Sequence, residues 1–183
     1  IDVDSFAAYF IIHELVVNYD AGSYSTYLYK DTSGKLKLCV WDFNNACDNY
    51  QERTIMEVQH FEIQNKLWFG MLMKDEDFVN RVIKMYKNLR KTVFSDEYLE
   101  GYIDGVIEYL GPAVERNNKR WASSFADDTL LYPENRNLHS YDEAVTQLKT
   151  FFAERTAWLD ENIETLKQYS ASSKIKKYTE VTD

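Results

Sequence analysis

The sequence predicts an α+β fold that is mainly helical and contains one small β-hairpin. Apolar residues recur at helical spacing near the start of the chain and again through most of it after residue 62. Between them, two short alternating segments flank Asp31-Thr-Ser-Gly34, whose glycine suits a hairpin turn. The 183 residues are 45% apolar and include 4 Trp, 14 Tyr and 10 Phe, which suits one domain with a substantial core.

The first helix is predicted to run from an N-cap at Asp4 to about Asn18, and it is apolar on nearly every face, so we expect it to be buried. Strands are predicted at about residues 25–29 and 35–40. The hairpin that they form returns the chain toward the end of the first helix.

The rest of the fold is predicted to be helical. One helix spans about residues 62–74, and another opens near Asp75 or Asp77. Ser95 caps the next helix, whose apolar stripe continues until Gly111-Pro112 bends or breaks it. The last helix opens with Ser140-Tyr-Asp-Glu143, which matches the S-x-x-E capping box.

Three segments are predicted to lack regular structure. Residues 43–61 are polar and irregular and are expected to form a rim, since loops on a rigid scaffold often carry binding groups. A polar loop is expected at about 123–139, and a flexible tail at 170–183. The predicted domain is therefore residues 1–169.

The charge balance excludes two classes of partner. With 21 basic and 30 acidic residues the formal net charge is −9, which argues against binding to nucleic acid or to an anionic membrane surface. No apolar run reaches the roughly 18 to 20 residues of a membrane-spanning helix, and no leader opens the chain. Because a helix begins almost at once after Ile1, we expect a processed or truncated product of a longer protein.

Two carboxylates follow adjacent elements of the predicted fold. Asp20 comes at the end of the first helix, and Asp42 follows the hairpin between Trp41 and Phe43. In phosphoryl transfer one acid lies near the acceptor hydroxyl, and another, after a strand, holds magnesium. The alternative for Asp20 is a turn-forming role. Asp42, between two aromatic residues, requires a partner, a metal or solvent to offset desolvation.

Other polar and aromatic residues have structural interpretations. Glu14 is expected to form a buried ion pair, and His13 to be a helix residue with a satisfied hydrogen bond. The tryptophans on helical stripes are predicted to be core residues: Trp68, Trp121 and Trp158. Salt bridges are the default interpretation of the arginines that could otherwise meet phosphate: Arg116, Arg120 and Arg155.

Several catalytic and binding motifs are missing from the sequence. None of the 6 glycines forms a G-x-G-x-x-G or G-x-x-x-x-G-K phosphate loop, and no G-x-S-x-G nucleophile elbow is present. Cys39 and Cys47 lie 8 positions apart, which is compatible with a disulfide or with two free thiols. The sequence therefore contains no recognisable phosphate cradle.

The order of short motifs carries a family resemblance. The first motifs are Asp4-Ser5-Phe6, Tyr9-Phe10, Glu14-Leu15, Asn18-Tyr-Asp20, Ser25-Thr-Tyr-Leu-Tyr29-Lys30 and Trp41-Asp42-Phe43. They continue with Trp68…Leu72, Phe78…Arg81-Val82, Arg116-Asn117…Arg120-Trp121 and Arg155…Trp158-Leu159. In this order and spacing the motifs resemble the spore coat protein H (CotH) kinase family over essentially the whole chain.

The resemblance implies a fold, an activity and two site residues. Members of the family resemble atypical protein kinases that use Mg·ATP to phosphorylate Ser on coat or other extracytoplasmic proteins, and related sequences occur among secreted bacterial proteins. It implies an atypical protein-kinase-like C-terminal lobe, Mg²⁺ and ATP as cofactors, a Ser/Thr acceptor protein as partner, and a secreted, cell-surface or spore-coat location. Asp20 would be the catalytic-loop acid that positions the acceptor hydroxyl, and Asp42 the magnesium ligand of a D-F-type turn.

The sequence departs from the family pattern in three places. The nucleotide-binding lobe, with its phosphate-contacting Lys and Glu, would lie upstream of Ile1, so we expect this chain alone to be inactive or weak. Asn44 stands where many relatives have a second acid, and its carbonyl oxygen still suits a hard cation. Ser25 lies 5 positions after Asp20, where the general kinase loop carries a metal-binding Asn. The candidate substitutes are Asn18, Asn44 and Asn45.

Two other function classes remain open from the sequence. One is a noncatalytic extracellular or coat-assembly module that keeps the kinase-like shell as a binding surface. The other is a sugar-binding surface module that uses the 14 tyrosines.

Overall fold

The computed structural model describes residues 1–51 and 58–170. The predicted tail therefore lies outside the described residues from 171 onward, as do residues 52–57 of the predicted rim. The helices are α1 (Val3–Val16), α2 (Phe69–Leu72), α3 (Glu76–Leu89), α4 (Asp96–Leu110), α5 (Pro112–Arg120) and α6 (Tyr141–Asn162). The strands are β1 (Tyr27–Tyr29) and β2 (Lys37–Cys39), and short 3₁₀ helices span Ala122–Ala126, Glu134–Arg136 and Ile163–Tyr169. The predicted α+β, mainly helical class is confirmed.

Helix α1 is the centre of the core and contacts α3, α6 and β2. Its N-cap is Asp2, whose carboxylate accepts a hydrogen bond from the Ser5 N–H at 3.0 Å, so the predicted cap at Asp4 was wrong by two residues. Its own buried side chains Phe6, Phe10 and Leu15 belong to one core cluster with side chains of other elements, which include Phe69, Val79, Val82, Tyr86, Leu159 and Leu166. The expected burial of this helix is confirmed.

The hairpin is shorter than predicted and lies against α1. Strands β1 and β2 are antiparallel with Leu28 opposite Leu38. Leu38 is buried, and its N–H donates to Ser5 Oγ at 3.0 Å, which ties β2 to the first turn of α1. All three residues of β1 are exposed. The hairpin is thus anchored through β2.

The helix predicted at 62–74 is mostly wrong, because only α2 is an α-helix there. The N–H groups of Glu62 and Ile63 donate to the carboxylate of Glu14 at 2.9 and 2.8 Å. Leu67 has a φ of 40°, in the left-handed region that a helix does not use. A helix that began at residue 62 would leave these two N–H groups without a helical acceptor, so it is the left-handed residue Leu67 that interrupts the predicted helix.

The later helices begin where cap chemistry predicts. Asp75, Ser95 and Ser140 accept hydrogen bonds from the backbone N–H groups of the first turns of α3, α4 and α6. The Glu143 carboxylate accepts from the N–H of His139, the residue before the cap, at 2.8 Å. Gly111, with a φ of 47°, separates α4 from α5 as expected.

Residues 96–150 differ from the rest of the described chain because none of their apolar side chains is fully buried. The prediction that the tryptophans are core residues is wrong for Trp68 and Trp121, which are 42% and 55% exposed. Trp158 does pack against the core, with its ring 4.9 Å from that of Phe61. Within residues 1–51 and 58–170, no helix has the length and apolar character to cross a membrane.

Candidate active site

The candidate site begins where α1 ends in a strained turn. Val17 has a φ of 48°, which is costly for a β-branched residue, and it directs Asn18 into the protein interior. Asp42 also has a positive φ, of 58°. Left-handed conformations at non-glycine residues cluster at functional sites, because the surrounding structure must stabilise them. The strained residue Val17 therefore lies three positions before Asp20, whereas Asp42 has a left-handed conformation that aspartate tolerates.

A hydrogen-bond network joins Asp20 to Asp42, as the sequence predicted that they would approach each other. The buried Asn18 side chain accepts from the Asp20 N–H at 3.3 Å and donates to the Asp42 carbonyl oxygen at 3.2 Å. Asn45 Nδ2 donates to Asp20 Oδ2 at 2.6 Å, and Asn45 Oδ1 accepts from Asn44 Nδ2 at 3.3 Å. Asn18 thus connects the backbones of the two aspartates, and Asn45 and Asn44 extend the network from the Asp20 carboxylate.

Ser25 lies on the carboxylate of Asp42. Its hydroxyl donates to Asp42 Oδ2 at 3.1 Å. The Asp42 side chain is exposed, so solvent and the Ser25 hydroxyl offset the desolvation expected for a carboxylate between two aromatic residues. Neither Asp20 nor Asp42 has an ion-pair partner within residues 1–51 and 58–170. In the described part of the chain, no positively charged side chain therefore neutralises either carboxylate.

Lys66 is a site residue that the sequence reasoning missed. Its Nζ donates to the Tyr19 carbonyl oxygen at 2.6 Å, lies 4.7 Å from the centre of the Tyr19 ring and pairs with Glu62. His60 contacts the other oxygen of Glu62 at 2.6 Å. This group fixes the backbone just before Asp20. Lys66 is 47 positions from Tyr19, so no local pattern indicated the contact.

A buried ion pair holds together the elements around the candidate site. Glu14 and Arg155 are both fully buried and meet at 3.0 Å, which confirms the predicted ion pair of Glu14 and the salt-bridge interpretation of Arg155. Arg155 also donates to the carbonyl oxygens of Glu14 and His60 at 2.8 and 2.6 Å. Burial raises the pKa of Glu14, an effect that Arg155 opposes, and burial lowers the pKa of Arg155. The pair links α1, α6 and the segment that carries Glu62.

His13 lies between two aromatic rings beneath the Asp42 turn. Its ring is 4.1 Å from that of Tyr9 and stacks on Phe43 at 4.8 Å and 8°. The prediction of a satisfied hydrogen bond is wrong, because neither ring nitrogen has a partner in the described part of the chain. Burial lowers the pKa of His13 to about 4, so the imidazole is neutral at neutral pH.

The loop that carries Asn44 and Asn45 is held at its far end. The Cys47 N–H donates to the Val16 carbonyl oxygen at 2.8 Å, and Arg136 pairs with Asp48 at 2.9 Å. Cys39 and Cys47 are free thiols, and burial raises the pKa of the Cys47 thiol to about 12. These contacts fix the loop on both α1 and the segment before α6.

The side chains available as metal ligands determine which cation the site could hold. No cluster of three or more His, Cys, Asp or Glu that would hold a metal occurs in residues 1–51 or 58–170. Mg²⁺ does not need such a cage, because it is usually bound by one or two carboxylates together with waters and substrate phosphates. The carboxylate of Asp42, which accepts a hydrogen bond from Ser25, and the amide oxygen of Asn44 are ligand types of this kind, and their role in holding magnesium stays a prediction.

The comparisons with known proteins agree with the order of the motifs. The family model described as CotH kinase protein matches residues 1–159 of the chain. Neither the curated proteins nor the solved structures include a match. The matched range ends at Leu159, where the last of the sequence motifs ends, and it contains the whole network around Asp20 and Asp42.

Proposed function

The chain belongs to the CotH kinase family, which indicates a kinase-like function, and we propose that the network around Asp20 and Asp42 is the catalytic part of its phosphoryl-transfer site. The observation that supports this most directly is the position of Asn18, which bonds the backbone of both aspartates. Phosphoryl transfer depends on positioning and on charge, so a fixed pair of acids is what the reaction requires.

The two acids have different surroundings, which suits different roles. Asn45 donates to one oxygen of Asp20, which orients the carboxylate and leaves the other oxygen to accept a hydrogen bond from the acceptor hydroxyl. Ser25 orients Asp42, which together with Asn44 would hold Mg²⁺. The magnesium ion, when bound, would neutralise charge on the ATP phosphates.

We propose that the acceptor is a Ser or Thr hydroxyl of an extracytoplasmic or spore-coat protein, with ATP as the phosphoryl donor. Residues 1–169 would be the C-terminal domain of the kinase. A phosphate-contacting lysine from a nucleotide-binding lobe outside this sequence would complete the site, since the sequence contains no glycine-rich phosphate loop.

Transfer of a labelled γ-phosphoryl group by the full-length parent tests the proposal. Asp20→Asn and Asp42→Asn should each remove transfer to a mixture of coat proteins, while the chain stays folded, because both substitutions keep side-chain shape. Asp31→Asn, at the exposed hairpin turn, is the matched control and should be active. Undiminished transfer in Asp42→Asn would contradict the metal role.

A second candidate, a noncatalytic binding module, is favoured by the exposed apolar residues of α4. In that case full-length protein would show no transfer, and substitution of Asp20 or Asp42 would leave every binding assay unchanged. The same panel of variants therefore separates the two candidates.

A further inference from the structure

One face of α4 has large apolar side chains that are exposed in the part of the chain that the structure describes. Leu99, Ile103 and Ile107 are half-buried toward α6. A different face exposes Tyr98, Tyr102, Val106 and Tyr109, of which Tyr109 is 90% exposed. Residues 4 positions apart lie on the same side of a helix, so these side chains form a continuous strip. The strip together with Gly101 and Gly105 is the α4 face.

The two glycines on this face are not explained by packing in the described chain. A Cβ atom added at Gly101 or Gly105 would meet no described heavy atom within 4 Å. Glycine inside a helix is less stable than alanine because it loses more backbone entropy on folding. What two glycines one turn apart do permit is the close approach of another helix, since small residues let two backbones come together.

The charge around the face indicates what such a helix carries. Helix α4 contains five acidic residues and no basic one: Asp96, Glu97, Glu100, Asp104 and Glu108. Asp96 pairs with Arg90, and Glu100 and Asp104 pair with Lys149. Glu97 and Glu108 have no ion-pair partner in residues 1–51 and 58–170, and they lie one turn before Gly101 and one turn after Gly105. The complementary charge is basic.

A second copy of this chain fits the face less well than a basic partner does. Packing α4 on α4 at the glycines would bring Glu97 and Glu108 of one copy toward the same acids of the other. Each copy also has a net charge of −9. Like charges placed opposite each other at an interface disfavour association.

We propose that the α4 face docks an amphipathic helix from another protein, which lays small and apolar residues across Gly101 and Gly105 and places Lys or Arg against Glu97 and Glu108. A groove of about 360 Å³ beside the face accommodates an apolar side chain of that helix. Its lining includes Tyr102, Val106, Leu110, Tyr141 and Val145. This inference does not rest on the proposed transferase activity.

A synthetic peptide tests the proposal in solution. The probe has the sequence of residues 96–110 with all five acids replaced by Lys, which keeps the apolar and glycine positions and reverses the charge. Titrated into the 183-residue chain, the labelled peptide should bind with an affinity that falls as salt rises. Backbone amide shifts should place it on α4 and the start of α6. Failure to bind, or binding elsewhere, would overturn the proposal.

Two variants separate docking from a structural role. Gly101→Ala with Gly105→Ala should raise the melting temperature of the chain, because alanine is the better helix former in open space, and should weaken peptide binding at least tenfold. Glu108→Lys should weaken it as well, whereas Glu115→Lys, the same charge change on α5, should not. Equal binding by all of these proteins would reject the α4 face. A salt-stable dimer of the wild-type chain, lost in Gly105→Ala, would assign the face to a second copy instead.

Discussion

Two regions of this chain are stabilised in different ways. The core region, made of the described residues of 1–94 and 151–170, contains all the fully buried apolar side chains, from Phe6 to Leu166. The outer region, residues 95–150, contains none. Its helices are held by N-caps at Ser95 and Ser140, by ion pairs on the surface and by the half-buried contact of α4 with α6.

This difference in burial indicates that the core region suits a catalytic site and the outer region suits a binding surface. The proposed active site lies in the core region, where the buried Asn18 and the buried Glu14–Arg155 pair hold it in one geometry. A catalytic group must be fixed in this way, because small displacements cost rate. The outer region has few buried contacts and an exposed apolar face, which suits the binding of a partner.

The largest expected effect is the loss of the buried ion pair. Arg155→Met leaves the Glu14 carboxylate buried without its partner and should lower the free energy of unfolding by about 3 to 5 kcal/mol, measured by denaturant titration. Lys149→Met in the outer region is the matched control. It removes pairs with Asp104 and Glu100 that lie at the surface and should leave the unfolding midpoint nearly unchanged. Equal losses in both variants would remove the distinction between the regions.

His13 should make the stability of the core region depend on pH. Because burial lowers its pKa from 6.5 to about 4, the unfolded chain takes up the proton first, so the stabilisation is present above pH 6.5 and is lost as pH falls toward 4. The loss should be about 3 kcal/mol. His13→Phe keeps a ring against Phe43 and should remove this component, as unfolding curves of both proteins at pH 7 and pH 4 would reveal. A pH dependence identical in the two proteins would contradict it.

The N-caps of the outer region should matter more than its exposed side chains. Ser95→Ala removes the acceptor of the Tyr98 N–H and should destabilise the chain by about 1 kcal/mol. Hydrogen exchange should show faster opening of α4 in this variant, with α1 unchanged. If α1 opened equally fast, the two regions would unfold as one unit.

The smallest effect is expected for the most exposed side chain of α4. Tyr109→Ser should change the free energy of unfolding by less than about 0.5 kcal/mol, because the side chain is exposed and the two residues have similar helix propensities. A thermal melt is sufficient to check this. A loss as large as that of Ser95→Ala would mean that the tyrosine is packed in solution.

Much of the fold could be predicted because its signals are local. The caps at Ser95 and Ser140 were predicted from residue type and spacing, and Asp75 was one of two predicted starts of α3. Helix α1 was predicted to be buried because it is apolar all round. The segment 62–74 was mispredicted because its apolar spacing does not reveal the left-handed backbone of Leu67, which interrupts a helix. The apolar stripe of α4 predicted a helix, but it did not indicate which face of that helix is exposed.

The site was predictable in outline and not in detail. The predicted hairpin returns the chain toward the end of the first helix and so places Asp42 near Asp20. The hydrogen bonds of Asn18 to both residues bear this out. The bond from Asn45 spans 25 positions and that of Lys66 spans 47, so sequence spacing carried no signal for either. Within the described residues His13 has no hydrogen-bond partner because its ring packs between Tyr9 and Phe43, a contact that no local pattern specifies.

Calorimetric titration of Mg·ATP into the full-length parent tests the central claim most directly, with magnesium-free ATP as the blank and Asp42→Asn and Asp31→Asn as the paired variants. Our account predicts magnesium-dependent binding to the wild-type parent and to Asp31→Asn, and its loss in Asp42→Asn. Binding that is unchanged in Asp42→Asn, or no magnesium-dependent binding to the wild-type parent, would contradict the assignment of the metal-binding half of the site to this network.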